Sequence, residues 1–401
     1  MYCGDEVGAF VGDVGSLSSK FGYAGEDTPN CIVPSIVGSK PNAPRSVLGQ
    51  SALFAARGID ALPQAISLVD DKNAYDWDVV ETLWTHAFEQ LHANPSEHAI
   101  LASLSPFDMA VAPKYMELMF ETFRAPAFFV AKDAVLNAFS FGKSTALVAD
   151  VGAGSTRVVP VVDGFALHGS AQRSVVGGEA LGLQLQKMLL DKHKVEIQPC
   201  VRKYGDGDVP AAPAMSDAYL QFRRLEVVRD LKESLCLMPE TTLNEELAES
   251  TPADPYELPD GQVVLVGSER FKIPEKLMHP DVIGADSTTV ATSSKGLHRM
   301  LYSALQSSDV DVRRELLNNL ILCGGGSALP GLTERVHWEM SQLVPSSLKV
   351  RITQMTPVER KFSTWIGGSI LASLGSFQQL WVSKREYEER GGDHLASSRF
   401  L

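Results

Sequence analysis

Two stretches of the chain carry the same small set of chemically useful residues. Near the start the sequence reads Ala9-Phe10-Val11-Gly12-Asp13-Val14-Gly15-Ser16. Farther on it reads Ala146-Leu147-Val148-Ala149-Asp150-Val151-Gly152-Ala153-Gly154-Ser155. Each is an apolar run ending in Asp-Val-Gly and small polar residues, and each leads into a second apolar run. The pattern predicts a β-hairpin closed by a tight turn of small residues. Glycine and serine in such a turn let backbone N–H groups come close to phosphate oxygens. An aspartate at a strand end, Asp13 or Asp150, can hold a magnesium ion through water. One Asp-x-Gly turn would mean little, because turns use it often. Two copies with matching flanks predict two hairpins, one per lobe, gripping phosphates from both sides of a cleft.

A third glycine cluster, Cys323-Gly324-Gly325-Gly326-Ser327, follows the apolar run Leu320-Ile321-Leu322 and precedes a helical pattern over 332–343. Taken alone it reads equally as a simple strand-to-helix turn or as another place where backbone approaches a ligand. The elements that must position these loops alternate between strand and helix. Helical patterns run over 77–93, 114–123, 133–141 and 219–238, the first with Val80, Leu83, Trp84, Phe88 and Leu91 on one face. The acidic, proline-bearing stretch 240–255 reads as a loop. The uncharged run 363–383 is long enough to suggest a membrane span, but Gly367-Gly368, its serines, Gln378 and Gln379 favour a buried helix. Alternating elements around a duplicated hairpin predict an α/β protein of two lobes about a nucleotide cleft.

Composition narrows the classes of function. A chain of 401 residues with a formal net charge of -13 argues against a broad duplex-DNA footprint, which would need a basic face, and leaves room for a local basic patch. Basic partners such as histones remain compatible with it. Five scattered cysteines predict neither a disulfide framework nor a zinc motif and fit a reducing compartment. The acidic first residues resemble no signal peptide. The nine histidines are dispersed, and neither His92 nor His98 has a cysteine nearby to complete a metal site.

Three long stretches identify a family. These are Phe21-Gly22-Tyr23-Ala24-Gly25-Glu26-Asp27 with Pro34-Ser35-Ile36-Val37-Gly38; Tyr256-Glu257-Leu258-Pro259-Asp260-Gly261-Gln262-Val263; and Glu359-Arg360-Lys361-Phe362-Ser363-Thr364-Trp365-Ile366-Gly367-Gly368. On these the chain resembles the actin superfamily over nearly its whole length. Gly4-Asp5-Glu6-Val7-Gly8-Ala9 and Pro126-Ala127-Phe128-Phe129 resemble subfamily four of the nuclear actin-related proteins, the BAF type. The resemblance implies the fold shared by actin, chaperone ATPases and sugar kinases. Residues 1–141 with 366–401 would form the first lobe, with a small subdomain near 33–70. Residues 142–365 would form the second, with a small subdomain near 177–285. It also implies residence in the nucleus. The expected partners are actin and an amphipathic helix of a remodelling ATPase or of a histone acetyltransferase subunit.

The resemblance assigns site residues as well. Asp13, Gly15, Ser16 and Lys20 match the first phosphate loop, with Lys20 bringing a compact charge to the phosphates. Asp150, Gly152 and Gly154 match the second. Lys232, Glu233, Gly324, Gly325, Lys361 and Phe362 match the adenosine side, although Lys232 and Glu233 read equally well as a solvated helix face. The implied cofactors are ATP and magnesium, the metal held through water by Asp13 and Asp150. The catalytic pattern is not kept. The family places glutamine, aspartate and histidine where this chain has Asp133, Ala153 and Arg157, and those positions order the attacking water. Leu17 also replaces a loop glycine. The expectation is a nucleotide-binding protein that is not a working ATPase. An active ATPase or a filament-forming protein is the alternative. Against the filament stand residues 39–49, which replace the long subunit-contact loop of the family. Phe139, Ser140 and Gly142, with Ile370, Leu371, Leu374, Ser376 and Leu380, match an apolar groove between the lobes. At helical spacing Ile370, Leu371 and Leu374 would otherwise read as core.

Overall fold

The computed structural model describes residues 8–39, 59, 61–69, 72–198, 216–280 and 295–400. The altered stretch 40–49, together with Cys3 and Cys200, lies outside them.

Both predicted hairpins form. Phe10–Val14 runs antiparallel to Ser18–Tyr23, and Ala146–Val151 runs antiparallel to Thr156–Val162. Each hairpin is the seed of one sheet. In the first sheet Phe10–Val14 pairs in parallel with Ile100–Leu104, which pairs in parallel with Ala127–Lys132. In the second, Ala146–Val151 pairs in parallel with Leu320–Cys323, which pairs in parallel with Ile352–Thr353. The duplication is therefore one of topology as well as sequence. The interior strands are apolar on both faces, as sheets covered by helices on either side must be.

A separate hydrophobic core sits behind each sheet, one built around Trp84, Phe88 and Tyr115, the other around Leu185, Leu231 and Leu301. Two helices join the halves. The linking helix Asp133–Ser140 leads from the first sheet to the second hairpin. The return helix Pro357–Ser373 opens with a reciprocal cap between Thr356 and Glu359 and with proline in its first turn. It packs on the linking helix and on both sheets, and so spans positions 365 and 366. Gly367 makes this approach possible: a Cβ there would lie 1.8 Å from the carbonyl oxygen of Leu136. Trp365 then donates its indole N–H to Val11 O at 3.1 Å.

Two expectations need correcting. Residues 240–255 are not simply loop, because Asn244 caps a short helix, Glu245–Ser250, and Asp254–Glu257 pairs with Val263–Val266. The run 363–383 is not one buried helix. It leaves the helix after Ser373, turns through 375–379 and ends in the short strand Val382–Ser383. No helix among the described residues is long and apolar enough to cross a membrane.

Candidate functional site

The two hairpin turns face each other. The N–H of Gly154 donates to Ser16 Oγ at 3.1 Å, a direct contact from one phosphate loop to the other. Within the turns, Gly15 N–H reaches the carbonyl of Ser18 at 3.3 Å and Gly152 N–H that of Ser155 at 3.0 Å. The approach at Gly154 is close: a Cβ would stand 3.0 Å from Ser16 Oγ, so the serine side chain would have to give. Leu17 lies half-buried beside this contact.

Antiparallel register places charges opposite one another at the strand ends. Asp13 faces Lys20, and Lys20 Nζ donates to its carboxylate at 2.9 Å; Ser103 Oγ holds the other oxygen at 2.6 Å. In the second hairpin Asp150 faces Arg157, whose Nη2 donates to Asp150. The other end of the guanidinium, Nη1, lies 2.6 Å from Asp133 at the start of the linking helix. Arg157 thus bridges two carboxylates, Asp133 and Asp150. Burial pushes the Asp133 carboxyl up to about 7; Arg157 opposes that lift, while Asp150 and Asp13 add to it. Burial works against the charge on Arg157 too. Asp133, Asp150 and Asp108 outweigh it and hold the proton more tightly than water would.

The third glycine cluster joins this site. Gly324 has φ 80°, and a Cβ there would collide with Asp150 Oδ1 at 2.2 Å. Its N–H donates to Arg360 O at 3.0 Å, tying the turn to the return helix. Gly325 has open space where a Cβ would be. Lys361 is exposed, and its ammonium stands over the ring of Phe362, 5.7 Å from the centroid. From the opposite wall Lys232 donates to Gly178 O at 2.7 Å, and Gly178 N–H reaches Gly152 O at 3.0 Å. Burial lowers the Lys232 pKa. Glu233, one residue on, is exposed. The structure therefore gathers the two loops, Lys20, Lys232 and Gly324 around one cleft, and leaves Glu233 at its edge.

The two halves also touch away from the turns. Ile36 and Ile59 of the first half pack with Tyr219 of the second, and Ser216 Oγ donates to Ile59 O at 2.8 Å. Arg173 donates to Asn73 Oδ1 at 2.7 Å.

Comparison with known proteins agrees with this geometry. The family model for actin matches residues 4–400. The chain belongs to the actin family. An actin-family relative in rice, Oryza sativa subspecies indica, named Actin-related protein 4, is 39% identical across 98% of this chain and 99% of its own. Proteins of the same name in Arabidopsis thaliana and Schizosaccharomyces pombe are each 36% identical, over 98% of this chain and 99% and 97% of theirs. Two α/β lobes around a cleft are thus the two-lobed actin fold, and the chain is similar to actin-related proteins over its whole length.

Of the two groups that actin-like clefts imply, the residues suit one. For a nucleotide, the facing glycine turns and the open space at Gly325 offer room, and Lys20 and Lys232 offer cations. The buried Nε of Arg157 finds no acceptor among the described residues. For a magnesium ion the fit fails. Asp150 is ion-paired to Arg157 and Asp13 to Lys20, so both carboxylates that would hold the metal's waters face an internal cation. Among the described residues no three His, Cys, Asp or Glu side chains converge as a metal site.

The apolar groove residues divide. Leu371 is half-buried against the first lobe, and Phe139 lies behind the second hairpin, near Gly164. Ile370, Leu374 and Leu380 are 40, 46 and 47% exposed, so the core reading does not hold for them. Gly142 and Ser376 are exposed as well.

Proposed function

We propose that the protein is a nuclear actin-related scaffold that binds ATP without turning it over. It pairs with actin on a helical segment of a larger subunit, in chromatin-remodelling and histone acetyltransferase complexes. The nucleotide serves as a structural ligand between the lobes. The observation that carries this reading is the double ion pair of Arg157 with Asp133 and Asp150, at positions where the resemblance implies ordered water. A guanidinium cannot accept a proton, and an aspartate whose oxygen is engaged by it has that oxygen occupied when a water would need it. The nucleus and the complexes follow from the subfamily resemblance, which the relatives named Actin-related protein 4 support.

Two results are expected. ATP at about 100 times its dissociation constant should stabilise stripped protein by roughly 2.7 kcal/mol, read as a rise in melting temperature. An unchanged melting curve at millimolar ATP would contradict nucleotide binding. The exposed Leu374 and Leu380 offer an apolar face to an amphipathic helix. Leu374→Asp with Leu380→Asp should change stability by about 0.5 kcal/mol or less, as surface substitutions do. The tagged double variant should lose most of the actin and large-subunit partner that the wild-type protein brings down from nuclear extract. Equal recovery by both proteins would rule out this surface, and recovery of neither partner by wild type would sink the scaffold reading.

A further inference from the structure

Each hairpin pairs its strand-end aspartate with a cation seven residues later on the returning strand: Lys20 with Asp13, and Arg157 with Asp150. The duplication thus extends to charge. Lysine in the first copy belongs to the family resemblance. Arginine in the second does not, because histidine is expected there. Arg157 also reaches Asp133, so that two of the three carboxylates at the floor of the cleft share one guanidinium. The third, Asp13, is held by Lys20 and Ser103.

A hydrated magnesium ion needs carboxylate oxygens that face it and room for the waters it gives up reluctantly. Seating one here would displace Arg157 from Asp133 and Asp150 and leave a largely buried guanidinium unpaired, a costly exchange. Lys20 and Arg157 place one cation on each hairpin, each already facing the carboxylates a metal would otherwise neutralise. The Arg157 guanidinium is also a planar, multiply donating group matched to phosphate oxygens.

We infer that Arg157 is the fixed cation of this cleft, standing in for a divalent metal on the second hairpin, so that the cleft takes its nucleoside polyphosphate in the metal-free form. The inference deepens the ATP-binding reading and rests on it for the ligand. The exclusion of metal stands on the ion pairs alone, and the test separates the two.

In the first measurement Mn²⁺ alone is titrated into nucleotide-free protein and free Mn²⁺ is followed by electron paramagnetic resonance. Wild type is expected to show no cleft site. Arg157→Gln, with Asp133 and Asp150 released, is expected to gain one, which adding Asp150→Asn removes. Wild-type uptake that is lost in Asp150→Asn overturns the inference, whether or not ATP binds. So does a folded Arg157→Gln protein that gains nothing. In the second, ATP is titrated by calorimetry in excess EDTA and in excess magnesium. Wild-type affinities should agree within about twofold. Arg157→Gln should lose about 10- to 100-fold in EDTA, the size of a charge-assisted hydrogen bond to phosphate, and Arg157→Lys should recover much of it. Wild-type binding that is tenfold tighter or more with magnesium overturns the inference. Binding in neither buffer removes the ATP reading, and the Mn²⁺ titration then decides the fixed-cation claim.

Discussion

Arg335→Met should cost about 3–5 kcal/mol of stability, read as a large drop in the denaturant midpoint, because it removes the guanidinium that pairs with two buried acids. Arg335 is fully buried in the helix Leu332–Leu343 that follows the third glycine turn. Its Nη1 and Nη2 donate to Glu275 at 2.7 and 2.6 Å, and its Nε donates to Glu339 at 2.9 Å. Nη1 also reaches the carbonyls of Pro239 and Thr241 at 3.2 and 2.6 Å. The network fixes the chain just beyond helix Asp217–Leu235, which carries Lys232 into the cleft. The substitution would leave two buried acids, Glu275 and Glu339, without their guanidinium partner. Replacing Arg335, Glu275 and Glu339 together by apolar residues of similar size should recover most of the loss, since it leaves no charge unpaired. A midpoint unchanged in Arg335→Met would show that the network relaxes to water, contrary to the burial seen.

Gly367→Ala is the second large effect. The added methyl would sit 1.8 Å from the carbonyl oxygen of Leu136, and the other near atoms are backbone too, so no side chain can turn aside. The return helix would have to move off the linking helix. Overpacking of this kind costs about 1–3 kcal/mol and at times more. The expected value lies at the upper end, because both partners are helices held by other contacts. Ser363 Oγ, which donates to Asn137 Oδ1 at 2.6 Å, would be pulled away as well. Loss of ATP-dependent stabilisation should accompany the drop, since these two helices set the spacing of the lobes. A variant with wild-type stability would place the close approach in error. By contrast Gly375, with open space around it, should accept alanine at little cost.

Much of this architecture is legible in the residues. The hairpins announce themselves because an apolar strand run and a turn of glycines are local features. The helix over 332–343 is found with the bounds its pattern gives, since Gly331 and Pro330 mark its start. Long-range arrangement is less visible. Residues 363–383 look uniformly apolar, yet helix ends depend on the chain turning at Leu374 to reach the sheet edge. The short helix Glu245–Ser250 hides in an acidic stretch because its signal is one capping residue, Asn244.

The site shows the same division. Asp13, Gly15, Asp150, Gly152 and Gly154 follow from the repeat alone. Lys232 needed the resemblance to be singled out, because a lysine on a helix is common, and the glycine turn at Gly324 was visible but ambiguous without it. Arg157 is the instructive case. Read against the family it counts only as a missing histidine. Read against the chain's own first hairpin, it falls at the same spacing of seven as Lys20, and the register shows why: both cations sit opposite their aspartates. That signal was in the sequence. Its reach to Asp133 was not, because it depends on where the linking helix starts relative to the second sheet.

The central claim is that nucleotide is held and not consumed. The direct test is a single-turnover experiment in which excess protein is mixed with γ-labelled ATP, with and without magnesium, and bound nucleotide is analysed over hours. The account predicts that ATP remains intact in the complex and that phosphate appears no faster than in buffer alone. Phosphate released from bound ATP, abolished by Asp133→Asn, would contradict it and make Asp133 the base of a working ATPase.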